Sequence, residues 1–166
     1  VTAWSLPCAF DVECLSAPVS AQVTSAAWDG ALPAGQIVGG TAKVAYLVAD
    51  HDSALTALAS WLRQGLRVHV ADRPMEIGDQ EFPRGTLILR TNDNPPDLHS
   101  VMERSVRQWS LRVVACQSGL SAAGAHLGGP YVRWVRPPKI AMLVDRPASY
   151  SVGHTWYLFD QNLQYP

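Results

Sequence analysis

Residues 43–72 read KVAYLVAD, HDSALTALASWLRQG and LRVHVAD in direct succession, and this order limits the fold more than any other stretch. The first phrase is a near-continuous apolar run with β-branched residues, the pattern of a strand covered on both faces. The second places Leu55, Leu58, Ala59 and Leu62 at helical spacing and ends at Gly65, which is a helix with its stop signal. The third alternates like a strand. Strand, helix and strand in about 30 residues form a βαβ unit, and such crossovers are right-handed in nearly all cases.

The pattern continues downstream. MEIGDQEFPRGTLILR contains two short strand-like pieces around Gly78-Asp79, a hairpin that leads into a further apolar strand. PPDLHSVMERSVRQW predicts a helix with prolines at its start and Leu98, Val101, Met102, Ser105 and Val106 on one face. LRVVACQ supplies another strand. Residues 118–138, rich in glycine and small residues, read as a long connection. Ile140 to Val144 then predicts a strand, and Val152 to Leu163 an amphipathic helix with Trp156, Leu158, Phe159 and Leu163 as its buried stripe. The alternation predicts an α/β architecture with a mainly parallel sheet and helices on both faces. The expected organisation is an irregular lead-in over 1–40, with a short helix around PCAFDVECL, an α/β domain over 41–136, and the opening strand and helix of a further α/β unit over 137–166. The chain lacks an initiator Met and stops just after that opening, so a piece of a longer protein is expected.

Composition removes whole classes of function. At 48% hydrophobic and 16% charged residues the 166-residue chain has the balance of a globular protein. No apolar run approaches the roughly 20 residues needed to cross a bilayer, so no membrane span is expected. A formal net charge of -1 with scattered basic residues argues against nucleic acid as a partner. The densest basic cluster, Arg133, Arg136 and Lys139, reads as a solvated face rather than a phosphate or lipid patch. Cysteines at 8, 14 and 116 lack the close pairing of a thiolate metal site, although a Cys8–Cys14 disulfide would suit an exported protein.

Few residue groups invite chemistry. Cys116 falls at the carboxyl end of a predicted strand, where open α/β sheets place ligands, but VVACQSG lacks the flanking glycines of a nucleophile elbow. A buried structural cysteine is the expected role, with a catalytic thiol as the sharper alternative. Asp50, His51 and Asp52 sit at the end of the first clear strand; they could bind a ligand or metal, or simply cap the helix that follows. His69 alternates with valines and is expected to be hydrogen-bonded or exposed. His99 and Glu103 form an i,i+4 pair on a helix face, and neither H-E-x-x-H nor H-x-x-E occurs anywhere in the chain. GLSAAGAHLGG lacks the lysine of a P-loop. His154, Trp156 and Tyr157 open the last helix and could touch a ligand, but a buried stripe of Trp156, Leu158, Phe159 and Leu163 suits the segment better.

Taken in order, VTAWSLP, AYLVADHDSALTALASWLRQGLRVHVA, FPRGTLIL, SGLSAAGAHLGGPYVRWVRPPKIAML and GHTWYLFDQNLQYP resemble the region that follows the catalytic domain in large bacterial exported zinc carboxypeptidase-like proteins of the carboxypeptidase A type. The chain departs from that pattern at His154, where an aromatic is usual, and at Trp156, where arginine is usual. The resemblance implies that the zinc ligands and catalytic glutamate belong to the preceding peptidase domain, since none has a matching position here. No catalytic residue, metal or cofactor is therefore expected in this chain. It also implies a flavodoxin-like, class I glutamine amidotransferase-like last segment, export to the periplasm or beyond, and the peptidase domain as partner. The leading expectation is a non-catalytic accessory domain. A small-molecule or glycan-binding module at Asp50, His51 and Asp52, and a cysteine-dependent amidotransferase-like hydrolase built on Cys116, are the alternatives.

Overall fold

The computed structural model describes residues 33–49, 52–144 and 149–165, together with Ser16, Pro18, Thr24, Asp29 and Gly30. The chain divides into two units, Val1–Ala31 and Leu32–Pro166, and the architecture below is that of the second. The expected N-terminal helix, Cys8 and Cys14 lie outside the described residues.

Among the described residues, nine strands and three α-helices follow in order: β1 (Gln36–Val38), β2 (Ala45–Val48), α1 (Asp52–Arg63), β3 (His69–Ala71), β4 (Met75–Ile77), β5 (Gln80–Phe82), β6 (Leu87–Arg90), α2 (Leu98–Trp109), β7 (Arg112–Cys116), β8 (Ala123–Gly124), β9 (Val132–Trp134) and α3 (Tyr150–Trp156). The main sheet has the order β1-β7-β2-β6-β3-β9, and a small sheet has the order β5-β4-β8. Among the described residues β1 and β7 run parallel and every other pairing is antiparallel.

This overturns the expected mainly parallel, flavodoxin-like sheet. The two crossovers read from sequence both exist, but each is split. β2 and β3 run the same way around α1, with β6 inserted between them; β6 and β7 run the same way around α2, with β2 between them. Two interleaved split β-α-β units give the connectivity of a ferredoxin-like sandwich. A crossover helix fixes the relative direction of its two strands and leaves open whether another strand comes between them.

The helices also share one face. Tyr46, Val48, Leu87, Leu89, Val113 and Ala115 pack there against Ala54, Ala57, Trp61 and Leu62 of α1 and Leu98, Val101, Met102 and Val106 of α2. On the opposite face Ala45, Leu47, Ile88 and Cys116 meet Met75, Phe82, Ala125, Leu127 and Val132. The small sheet and the 117–131 segment thus take the place of the second helical layer. Both faces are covered, so all four residues of β2 are buried and its apolar run is unbroken.

Local expectations fare unevenly. The buried residues of α2 are Leu98, Val101, Met102, Ser105 and Val106, as its periodicity predicts. In α1 Leu58, Ala59 and Leu62 pack inward as expected, but Leu55 is 53% exposed, and Ala54, Ala57 and the fully buried Trp61 join the inner face. The indole of Trp61 donates to Ser105 Oγ at 2.9 Å, tying α1 to α2. The 75–82 hairpin forms as expected, with Gly78 at φ 62° in the first central position of its two-residue turn. Gly35, next to β1, is needed for close approach, because a Cβ there would lie 2.8 Å from the backbone of Leu111. The supposed connection 118–138 contains β8 and β9, strands too short to register as periodic. The expected strand over Ile140 to Val144 joins neither sheet.

Candidate functional site

The C-terminal segment carries the most unusual surface of the described residues. From Pro138 the chain runs extended through Val144, and after Ser149 it forms α3, which continues as a π-helical stretch, Tyr157–Asn162. The wider winding shows in the Leu163 N–H bond to Leu158 O at 2.9 Å. Such stretches are rare and concentrate at functional sites. The expected buried stripe is not buried: Trp156 is 50% exposed, and Tyr157 and Leu158 are exposed beside it. Leu143 is 97% exposed, with Ile140, Met142 and Val144 also open to solvent. Of the expected stripe, Phe159 and Leu163 are partly covered.

A cavity of about 150 Å³ lies between Ile140 and Met142 on one side and Trp156, Phe159 and Tyr165 on the other. The segment is anchored at its end, where Tyr165 packs against the helix-side core and its hydroxyl donates to Pro138 O at 3.0 Å. Scattered single apolar residues on a surface need no explanation, but here the exposed Ile140, Met142 and Trp156 are grouped around one cavity, as at interaction sites. Pattern alone could not have found it, because an amphipathic stretch reads the same whether its apolar side is covered or open.

Of the sequence-predicted residues, the structure describes the backbone of Asp52 and the whole of Cys116. Asp50 and His51 lie outside the described residues, and Asp52 opens α1. Cys116 closes β7 with its thiol buried and unpaired, and burial pushes its pKa up to about 11. A nucleophile needs the opposite shift. His126, the imidazole nearest in sequence, accepts from the Ser121 N–H through Nδ1 at 3.1 Å.

Three polar arrangements were missed in the sequence. Tyr46 accepts from the Ala42 N–H at 3.1 Å and shares a 2.7 Å hydrogen bond with His99 Nδ1, while His99 Nε2 lies 3.6 Å from Glu103 Oε1. This is an acid–imidazole–hydroxyl relay in form, yet Tyr46 is 1% exposed, so its oxygen meets no substrate. The relay instead pins the first turn of α2 to β2. In the second, Asp93 Oδ2 faces both Arg90 Nη1 at 3.6 Å and His69 Nε2 at 3.8 Å. His69 is buried with Nδ1 unpartnered among the described residues, and burial, then Arg90, lower its pKa. In the third, Glu76 and Glu81 face each other across β4 and β5 at the wall of a cavity of about 500 Å³. Such like-charge pairs cost stability. No group of three or more metal-ligating side chains occurs among the described residues.

No helix among the described residues is long and apolar enough to cross a membrane. No protein-family model, curated protein or solved structure matches the chain.

Proposed function

We propose that this chain is a non-catalytic accessory domain that packs, through the apolar side of its C-terminal segment, on the peptidase domain of a zinc carboxypeptidase-like protein. The observation that carries the proposal is the exposed apolar set Leu143, Val144, Trp156, Tyr157 and Leu158, which costs solvation until another protein surface covers it. The ordered resemblance of its phrases supplies the identity of the partner. In this reading, zinc and the chemistry of peptide-bond hydrolysis belong to the partner, and this domain shapes or extends the substrate cleft.

The test is to express the complete gene that encodes this chain. Bound zinc and release of C-terminal residues from peptides would be assayed, beside the same protein carrying Leu143→Asp and Trp156→Asp. Zinc-dependent hydrolysis is expected, with KM raised several-fold in the double variant. Backbone amides over 140–158 should exchange more slowly in the complete protein than in the isolated chain. A complete protein that binds no zinc and hydrolyses nothing, or amide exchange that is the same in both settings, would sink the proposal.

A further inference from the structure

β9 is the last strand of the main sheet, and its outer edge has an unusual chemistry. Val135 N–H bonds to Val68 O at 2.9 Å and Asp72 N–H to Tyr131 O at 2.8 Å, so alternate residues of this strand turn their backbone toward β3. Trp134, opposite His69, falls between them in a non-hydrogen-bonded pair. Its N–H and C=O therefore point away from the sheet. The same residue is 51% exposed and flanked by two guanidiniums, with Arg67 Cζ 6.0 Å and Arg136 Cζ 5.6 Å from its ring centroid.

The charge around this edge is one-sided. Arg133 and Arg84 share the single carboxylate of Asp72, at 2.8 and 3.7 Å. Neither Arg67 nor Arg136 has an ion-pair partner among the described residues. Asn94 accepts from the Arg67 N–H at 2.8 Å and donates to its carbonyl at 3.0 Å, so the backbone that carries the first guanidinium is held in place. Arginines stacked on an aromatic ring keep their N–H donors free in the ring plane for bidentate contact with carboxylates.

We infer that the open edge of β9 takes up an extended acidic peptide segment of a partner protein, which adds a strand beside Trp134 and places its carboxylates on Arg67 and Arg136. Strand addition draws affinity from main-chain hydrogen bonds and specificity from side chains on alternate residues, and this edge offers both. A sulfated polysaccharide or a nucleic acid would meet the guanidiniums but leave the Trp134 backbone pair to water. Pro137 and Pro138 close the edge immediately downstream, so the added strand is short. The inference does not depend on the proposed peptidase partner.

The experiment titrates the 166-residue chain with the peptide acetyl-Val-Glu-Val-Glu-Val-Glu-amide, followed by calorimetry and amide NMR. Two controls carry the same charge but N-methyl groups on alternate residues, one for each edge of the peptide. Binding should shift the Trp134 amide and slow its exchange, and one N-methylated control should bind at least about tenfold more weakly, the loss expected when a main-chain bond is removed. Arg67→Gln and Arg136→Gln, both at exposed positions, should each weaken binding by about tenfold with an unchanged circular dichroism spectrum. Equal binding of all three peptides overturns the inference. So does failure of the peptide, whether or not a heparin-type oligosaccharide or a thymidine oligonucleotide binds at Trp134.

Discussion

Replacing Ser105 by Ala tests the joint between the two helices through a single hydrogen-bond acceptor. Trp61 is fully buried, and its indole N–H reaches Ser105 Oγ at 2.9 Å. The hydroxyl sends its own hydrogen to Val101 O at 2.8 Å, a carbonyl that α2 also satisfies internally. Ser105→Ala therefore leaves one orphan, the indole N–H, at a cost of about 1–3 kcal/mol. Trp61→Phe removes that donor along with part of the ring, for about 2 kcal/mol. Once the donor is gone, Ser105→Ala has nothing left to strand and should cost under about 0.5 kcal/mol. The expected coupling is thus about 1–2 kcal/mol, read from urea unfolding followed at 222 nm, with the midpoint shifted and the slope unchanged. If Ser105→Ala costs the same in both backgrounds, the hydrogen bond is not what joins α1 to α2 and the reasoning fails.

Four further outcomes are expected. Ser110 ends α2 in the left-handed region at φ 52°, so Ser110→Gly should raise stability by about 0.5–1 kcal/mol in the same urea assay. With the Cys116 thiol pushed up to about 11 from 9.0, alkylation by iodoacetamide at pH 8 should run about a hundredfold slower in the folded chain than in urea. Because the folded pKa is the higher one, the stability this thiol contributes should fade as pH rises from about 9 toward 11, and Cys116→Ala should flatten that alkaline loss. His69 is shifted the other way, below 6.5, so the unfolded chain takes up its proton first as pH falls. Stability should therefore drop below about pH 6.5, and His69→Gln should lessen the drop.

The candidate surfaces divide by how local their causes are. Trp156, Tyr157 and Leu158 could be named as a cluster from sequence, but amphipathicity carries no record of whether the apolar side is covered. Here the expected strand Ile140 to Val144 lies in neither sheet, and Trp156, Tyr157 and Leu158 are exposed. The basic edge was visible only in part, as Arg133 and Arg136. Arg67 enters from the turn before β3, and its place beside Trp134 follows from the register of β3 against β9.

By itself the sequence determined what short-range physics controls. The unbroken apolar run of β2 encoded a strand with both faces covered, the spacing in α2 encoded its buried face, and Gly78-Asp79 encoded the hairpin turn. Each follows from side-chain period or from the backbone freedom of one residue. Tertiary structure decided the rest. The insertion of β6 between β2 and β3 made the sheet antiparallel, because strand neighbours are chosen by the best mutual burial among segments distant in the chain. In α1 the core also took Ala54, Ala57 and Trp61 and left Leu55 in solvent, a width of buried face that leucine spacing did not encode. Packing of the small sheet in place of a second helical layer buried Cys116 and so removed the reactivity that its position at a strand end had suggested.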